Sequence, residues 1–418
     1  MHLVIVTEEL ATSNHPAYGL ASFSANLARI FRKNGHKVTI VLVTTKKEDI
    51  LFDEDIALKY AYVEKILWDK FDDIGKMVSV LTDENHDEAR RFLVNLHKAE
   101  LVKKMIDEIK AEEDIDIIHA CNVCSLSLGF GYDIPYVVRI SSFQNMWDGM
   151  ELPEAITEYK QNPVSIKDKL EIFTLKKARY IMSPSNLMAS IVKEHMGMDA
   201  TIIESPFSLN KENWNYDVYN VFKGKRYIIH YGRLGYVKGT HIVAEIAKPL
   251  LERYPEFVIL LAGDYLEMLD DQGERYPAYE VVQKRAGKYA ERVIYVGRLV
   301  REELYPLIQN AELCLLPSRI ENLSNACIEA MAMGKIVVAT DGASFEQLID
   351  DRVSGFLCER DNPESFLQAV EEALNMEKEK KQDMIENAFK RIQQLSPKVI
   401  YEKFLKYYEK VMHEWEYY

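Results

Sequence analysis

The chain has 418 residues, 48% of them hydrophobic and 28% charged, the balance of soluble globular domains and more than one hydrophobic core can hold, so two compact units are expected. Its 18 glycines and 13 prolines exclude collagen-like and low-complexity classes. A formal charge of −14 sets the surface field against phosphate backbones, which excludes nucleic acid as the expected partner.

The N-terminus enters a strand-like run, Leu3-Val4-Ile5-Val6, with no signal-peptide hydrophobic region, and no apolar run reaches the roughly eighteen residues of a bilayer span. A cytoplasmic protein without transmembrane segments is expected, peripheral membrane contact remaining open. Five dispersed cysteines, Cys121, Cys124, Cys314, Cys327 and Cys358, fit a reducing compartment.

After Leu3 to Thr7 come a polar stretch through Gly19 and an amphipathic run from Leu20 to Lys33. Its apolar residues Phe23, Leu27, Ile30 and Phe31 recur at helical spacing, and Gly35 follows as a left-handed cap. With the strand Val38 to Leu42 this makes a βαβ unit and predicts a parallel sheet. Residues 46–109 read as charged and helical without strand pairing, hence as an insertion over one sheet edge. Further strands are read at Asp116 to His119, Tyr136 to Ile140, Tyr180 to Met182 and Ala200 to Ile203.

Downstream the order recurs: a strand at Tyr227 to His230, a glycine-bearing loop from Gly232 to Gly239, a helix from Thr240 to Glu252, then Phe257 to Ala262. Strands are read again at Arg292 to Val296, Ala311 to Leu316 and Lys335 to Ala339. The polar segment Pro206 to Lys225 is the candidate hinge. Ile400, Phe404, Tyr407, Tyr408 and Met412 give the last helix an apolar face, expected to pack on the first domain. The predicted domains are 1–207, 208–395 and a returning helix at 396–418.

Ligands of open parallel sheets bind beyond the carboxyl ends of strands, which directs attention to the loops there. The loop Arg233-Leu234-Gly235-Tyr236-Val237-Lys238-Gly239 sets two fixed cations and flexible backbone before a helix, a combination suited to a diphosphate. Solvated surface charge is the plain alternative. Glu321 would lie on the loop after the strand Leu313 to Leu316, with Ser324 or Asn325 starting a helix whose free N–H groups face that loop. Glu329 falls among Ala326, Cys327, Ile328, Ala330 and Met331, where a carboxylate needs a partner. Two such carboxylates can accept hydrogen bonds from the hydroxyls of a sugar and of a ribose. Cys121-Asn122-Val123-Cys124 could be a redox pair or half a zinc site, but no second Cys or His pair lies nearby, so buried free thiols are expected and no metal.

These residues resemble the nucleotide-sugar-binding half of retaining GT-B glycosyltransferases, specifically family four, whose signature is the Glu-x7-Glu spacing of Glu321 and Glu329. The matching segments include Gly232-Arg233-Leu234, Lys238-Gly239, Val296-Gly297-Arg298, Leu316-Pro317-Ser318, Glu329 to Thr340, Glu346 and Ser354-Gly355-Phe356-Leu357, within residues 226–375. The first half adds Gly35-His36-Lys37-Val38.

The resemblance implies an α/β GT-B fold of two Rossmann-like parallel-sheet domains facing an interdomain cleft, and retaining transfer of a sugar from a nucleotide-diphosphate sugar to an acceptor hydroxyl. No cofactor or metal is then expected, and the donor is a UDP-sugar by first expectation. Arg233 and Lys238 would hold the diphosphate, Glu329 the ribose and Glu321 the transferred sugar. Asn322, Leu323 and Ser324 would offer backbone donors, Arg298 and Leu299 would border the base, and Gly19 would approach the phosphates. The family's glycine pair is Tyr18-Gly19 here, and its histidine after the strand Tyr136 to Ile140 is Ser141. His119 and Ser141 are the acceptor-side candidates, with a strand-end core histidine as the alternative for His119. The acceptor, whether glycan, lipid-linked or small molecule, is open. A non-catalytic GT-B-like partner subunit and a nucleotide-sugar epimerase are the competing readings. A dehydrogenase is disfavoured because neither glycine loop reads Gly-x-Gly-x-x-Gly.

Overall fold

The computed structural model describes residues 1–11, 19–45, 55–64, 71–155 and 165–416. The chain divides into two compact units, one of residues 1–145, 159–206 and 396–418, the other of 146–158 and 207–395.

The first unit is built on seven strands: β1 (His2–Thr7), β2 (Lys37–Thr44), β3 (Ala57–Tyr62), β4 (Ile117–Cys121), β5 (Tyr136–Arg139), β6 (Ile181–Ser183) and β7 (Thr201–Ile202). Their order is β3-β2-β1-β4-β5-β6-β7, and every pairing is parallel. Each strand therefore needs a crossover, and helices cover the sheet. All six residues of β1 are buried, as near-continuous apolar strands of covered parallel sheets must be. The helix Gly19–Lys33 buries Phe23, Leu27, Ile30 and Phe31, as their spacing predicted, and Gly35 has φ +83° where the helix ends.

The reading of residues 46–109 as an insertion is corrected. Ala57–Tyr62 pairs in parallel with β2 and forms the sheet edge, and the helix His86–Glu112 is the crossover into β4, burying Val94, Ala99, Val102, Ile106 and Ile109. The edge strand escaped notice because only Ala61 of its six residues is buried, so it has no apolar alternation to read. The last helix, Pro397–Trp415, packs on this unit through Ile400, Phe404, Tyr407, Tyr408 and Val411. The Phe404 and Tyr408 rings lie 6.1 Å from the His119 ring.

The second unit holds β8 (Arg226–Tyr231), β9 (Phe257–Ala262), a hairpin β10 (Glu267–Leu269) and β11 (Arg275–Pro277), then β12 (Val293–Tyr295), β13 (Leu313–Leu316), β14 (Ile336–Thr340) and β15 (Phe356–Cys358). Six of these form a second parallel sheet in the order β12-β9-β8-β13-β14-β15. Its core joins Ile228, Ile259, Leu261, Leu315 and Val338 of the strands to Val243, Ala247, Leu250 and Leu251 of the helix Thr240–Arg253 and to Phe366 and Val370 of the helix Pro363–Asn375. In this sheet the strand order reverses between β8 and β13. That is the switch point beyond whose carboxyl ends a crevice opens, and the loops starting at Gly232 and Pro317 leave from it.

Residues 146–158 go with the second unit rather than with the first 207 residues. Tyr18 and residues 46–54 lie outside the described residues.

Candidate functional site

The loop after β8 is fixed from beneath by a buried relay. Burial lowers His230 to about 4, so its ring is neutral. Its Nδ1 lies 2.8 Å from the Leu315 carbonyl and must donate to it, which leaves Nε2, 3.0 Å away, to accept from the Thr240 hydroxyl. Thr240 Oγ1 in turn accepts from Gly235 N at 2.9 Å. The loop thereby hangs on β13 through three groups whose donor and acceptor roles are fixed.

Its far end is set by Gly239, at φ +70°. A Cβ there would stand 1.8 Å from the Pro317 carbonyl oxygen, so only glycine lets the two loops at the switch point touch. That contact brings Lys238 over the second loop: Lys238 Nζ lies 2.6 Å from Glu321 Oε1, which also accepts from Ser318 Oγ at 2.8 Å. The Glu321 side chain is 11% exposed and that of Lys238 28%. Glu321 N donates to the Ala343 carbonyl at 3.0 Å, which pins the loop to the end of β14.

Ser324 caps the helix Asn325–Ala332, its Oγ accepting from Cys327 N at 3.4 Å. Asn322 and Leu323, half-buried, precede that cap, and the Asn322 carbonyl accepts from Ser344 Oγ at 2.5 Å. One turn in, Glu329 has the partners its apolar surroundings require: Tyr305 Oη donates to Oε1 at 3.0 Å, and Arg301 Nε stands 3.4 Å away. Burial pushes the Glu329 carboxyl up, while Arg301 and Tyr305 work in the opposite direction.

Of the predicted donor-side residues, the structure thus brings Lys238, Glu321, Asn322, Leu323, Ser324 and Glu329 together. Arg233 is exposed and makes no ion pair among the described residues. Arg298, also exposed, stands 3.4 Å from Asp264, with Leu299 half-buried next to it. Gly19 is exposed at the start of its helix in the first unit.

One expectation about the loop is corrected. Two of its backbone donors already have an anion: Tyr236 N and Val237 N donate to the two carboxylate oxygens of Glu151 at 2.8 and 3.1 Å. A diphosphate at this loop is left to Arg233, Lys238 and the helix start across the crevice. Glu151 is held by Arg319, 3% exposed, which donates to the carbonyls of Met150, Leu152 and Pro153 at 3.0, 2.5 and 2.9 Å and pairs with Asp361 at 2.8 Å. Burial opposes the charge of Asp361, yet His241 and Arg319 bring its carboxyl down to about 2. Sequence reasoning missed Glu151, Arg319, Asp361, His230 and Tyr305. Only Arg319 carried a signal, an arginine next to the buried strand β13.

In the first unit, His119 is 2% exposed within β4. Its Nδ1 shares a 2.7 Å hydrogen bond with Tyr408 Oη, and burial, with Arg139 adding to it, lowers it to about 3. It is a neutral core histidine under the last helix. Ser141 is half-buried, its N donating to Asn122 Oδ1 at 2.7 Å and its Oγ accepting from Arg139 at 2.9 Å. Burial pushes the Cys121 thiol up to about 12, and the Cys124 thiol donates to Glu8 at 2.9 Å, so neither is a ready thiolate. No group of three His, Cys, Asp or Glu among the described residues could hold a metal ion, and no described helix is long and apolar enough to cross a membrane.

Two parallel-sheet α/β domains of this topology, with paired loops at the second domain's switch point, define the GT-B architecture. The chain superposes on sucrose-phosphate synthase from Thermosynechococcus elongatus with a TM-score of 0.72, covering 99% of each chain at 17% identity. Residues 214–391, within the second unit, match the family described as glycosyl transferases group 1. The D-inositol 3-phosphate glycosyltransferase of Corynebacterium urealyticum is 29% identical over 147 residues, 34% of each protein. The alpha-D-kanosaminyltransferase of Streptomyces kanamyceticus is 29% identical over 161 residues, 38% of this chain and 39% of that protein. The chain spans less than half the length of the curated relatives it matches.

Proposed function

We propose that the protein is a retaining glycosyltransferase of the Glu-x7-Glu type, moving a sugar from a nucleotide-diphosphate sugar to an acceptor hydroxyl without a divalent metal. The observation that carries this reading is the approach of Lys238 to Glu321 at the capped start of the helix Asn325–Ala332. A cation, a carboxylate and a helix N-terminus within one crevice can serve, in that order, a diphosphate, a sugar hydroxyl and the charge between them.

Breaking the sugar–phosphate bond concentrates negative charge on the departing nucleotide. Lys238, Arg233 and the helix N–H groups then interact more strongly with the transition state than with the bound donor, which is the condition for lowering the barrier. Glu321, buried and held by Ser318, positions the sugar, and Glu329 accepts from the ribose. In this retaining reading the acceptor attacks from the face the nucleotide leaves, and a donor phosphate oxygen takes its proton, so Ser141 in place of a histidine is tolerated.

The test is transfer by the purified chain from UDP-sugars, with products analysed with and without acceptor. Glu321→Ala should lower turnover by about three orders of magnitude and Lys238→Ala by about two, the size of effect seen when a preorganised electrostatic contact to a transition state is removed. Near-normal turnover in both variants overturns the assignment.

A further inference from the structure

Glu329 does not offer its two carboxylate oxygens alike. Tyr305 Oη donates to Oε1 at 3.0 Å and Arg301 Nε stands 3.4 Å from the same oxygen, both residues coming from the helix Arg301–Asn310. A carboxylate has about four acceptor positions, two on each oxygen, so Oε1 is filled. Oε2 makes no hydrogen bond among the described residues.

Oε1 is held where it is. Tyr305 is 8% exposed, and among the described residues its hydroxyl has Glu329 as its hydrogen-bond partner and no other. A ligand that drew Oε1 away would leave a buried phenol hydroxyl unpaired, which is costly. The ring is fixed as well: Trp214 packs on it edge-to-face, with centroids 5.8 Å apart and planes at 67°. Trp214 is held in turn by its Nε1, which donates to the Asn210 carbonyl at 2.8 Å, and next to it Asn215 N donates to the Glu302 carbonyl of the same helix at 2.8 Å. The end torsion of a glutamate is soft, so what sets the plane of this carboxylate is Tyr305, with Trp214 behind it.

That arrangement limits what Glu329 can read. A ribose presents two vicinal hydroxyls side by side, and a carboxylate engages both when each oxygen takes one. Here Oε2 alone is open. The acceptor positions of one oxygen point apart, so it takes one well-aligned hydrogen bond from such a pair.

We propose that Tyr305 is a positioning residue that sets specificity: by occupying Oε1 it makes Glu329 recognise one ribose hydroxyl rather than two, so that the site accepts a nucleoside diphosphate lacking the other. This rests on the reading of Glu329 as the acceptor of the ribose.

The experiment is calorimetric titration of the full chain with UDP, 2′-deoxy-UDP and 3′-deoxy-UDP, and with the matching adenine and guanine series, because the base is open. In the parent, one deoxy analogue should bind within about twofold of its ribonucleotide and the other about tenfold more weakly, the worth of one hydrogen bond to a charged group. Tyr305→Phe keeps the ring against Trp214 and frees the carboxylate to turn, so the tolerated analogue should then fall at least about threefold below the ribonucleotide. The readout is the ratio between analogues, which a merely loosened fold does not move. Both analogues weakened alike in the parent, neither weakened, or ratios in Tyr305→Phe equal to those of the parent overturn the proposal, while nucleotide binding itself upholds the donor reading. If no nucleoside diphosphate binds the parent, the donor reading fails and this proposal with it.

Discussion

Glu329 is where the sequence says most with one residue. A carboxylate inside Ala-Cys-Ile-Glu-Ala-Met has no local partner, so it either unbalances the fold or serves a ligand. The structure shows how it is tolerated without a ligand: Tyr305 donates to it and Arg301 stands beside it. Neither was legible, because both come from another helix, Arg301–Asn310, and nothing in the spacing ties that helix to Glu329. Burial already raises this carboxyl, so removing its charge costs the fold little, while a ribose would lose a charged acceptor. Glu329→Gln is therefore expected to shift the unfolding midpoint by less than about 2 °C yet to weaken nucleotide-sugar binding about tenfold. Thermal unfolding and a donor titration on one preparation check both halves; a destabilised variant with unchanged donor affinity would assign Glu329 to the fold alone.

Between elements, the site depends on two loops that must touch. The sequence showed Gly239 as a flexible loop position before a helix; that its missing Cβ makes room for the Pro317 carbonyl is a tertiary fact with no sequence mark. Gly239→Ala combines left-handed backbone with a 1.8 Å overlap and is expected to cost about 3 kcal/mol or more, lowering the second unit's unfolding midpoint by about 6–12 °C. A midpoint within about 2 °C of the parent would show that the loops can part at little cost. The segment carrying Glu151 is a similar case. It is read in the first domain because it follows β5 in the chain, but Arg319 gathers three of its carbonyls into the second unit. Arg319→Met should free those carbonyls and, through Glu151, speed amide exchange at Tyr236 and Val237 by at least about tenfold. Unchanged protection at these two amides would mean that Glu151 is held by something other than Arg319.

Across the whole molecule the parallel sheets were legible, since repeated strand-helix order and continuous apolar strands dictate them, whereas the contents of their cores were not. Each unit buries a histidine that must stay neutral: His119, lowered to about 3 under the last helix, and His230, lowered to about 4 beneath the loop from Gly232 to Gly239. In the unfolded chain both titrate near 6.5. Above that pH both states are unprotonated and stability does not depend on these rings. Below it the unfolded chain takes up protons that the native state refuses, so stability falls with acid until the native values are reached. Each ring contributes about 1.4 kcal/mol per pH unit over that window. The carboxylates add little there, because most titrate nearer 4. Urea unfolding at pH 7, 6 and 5, with fluorescence and circular dichroism as separate probes, should show a shallow loss from 7 to 6 and a steeper one from 6 to 5. His119→Phe, which cannot take a proton in either state, should flatten the steeper part by about 1.4 kcal/mol per pH unit whatever it does to stability at pH 7. An equal slope in that variant and the parent would mean that His119 already titrates in the folded protein, and the packing of the last helix over β4 would then have to be looser than the rings around it imply.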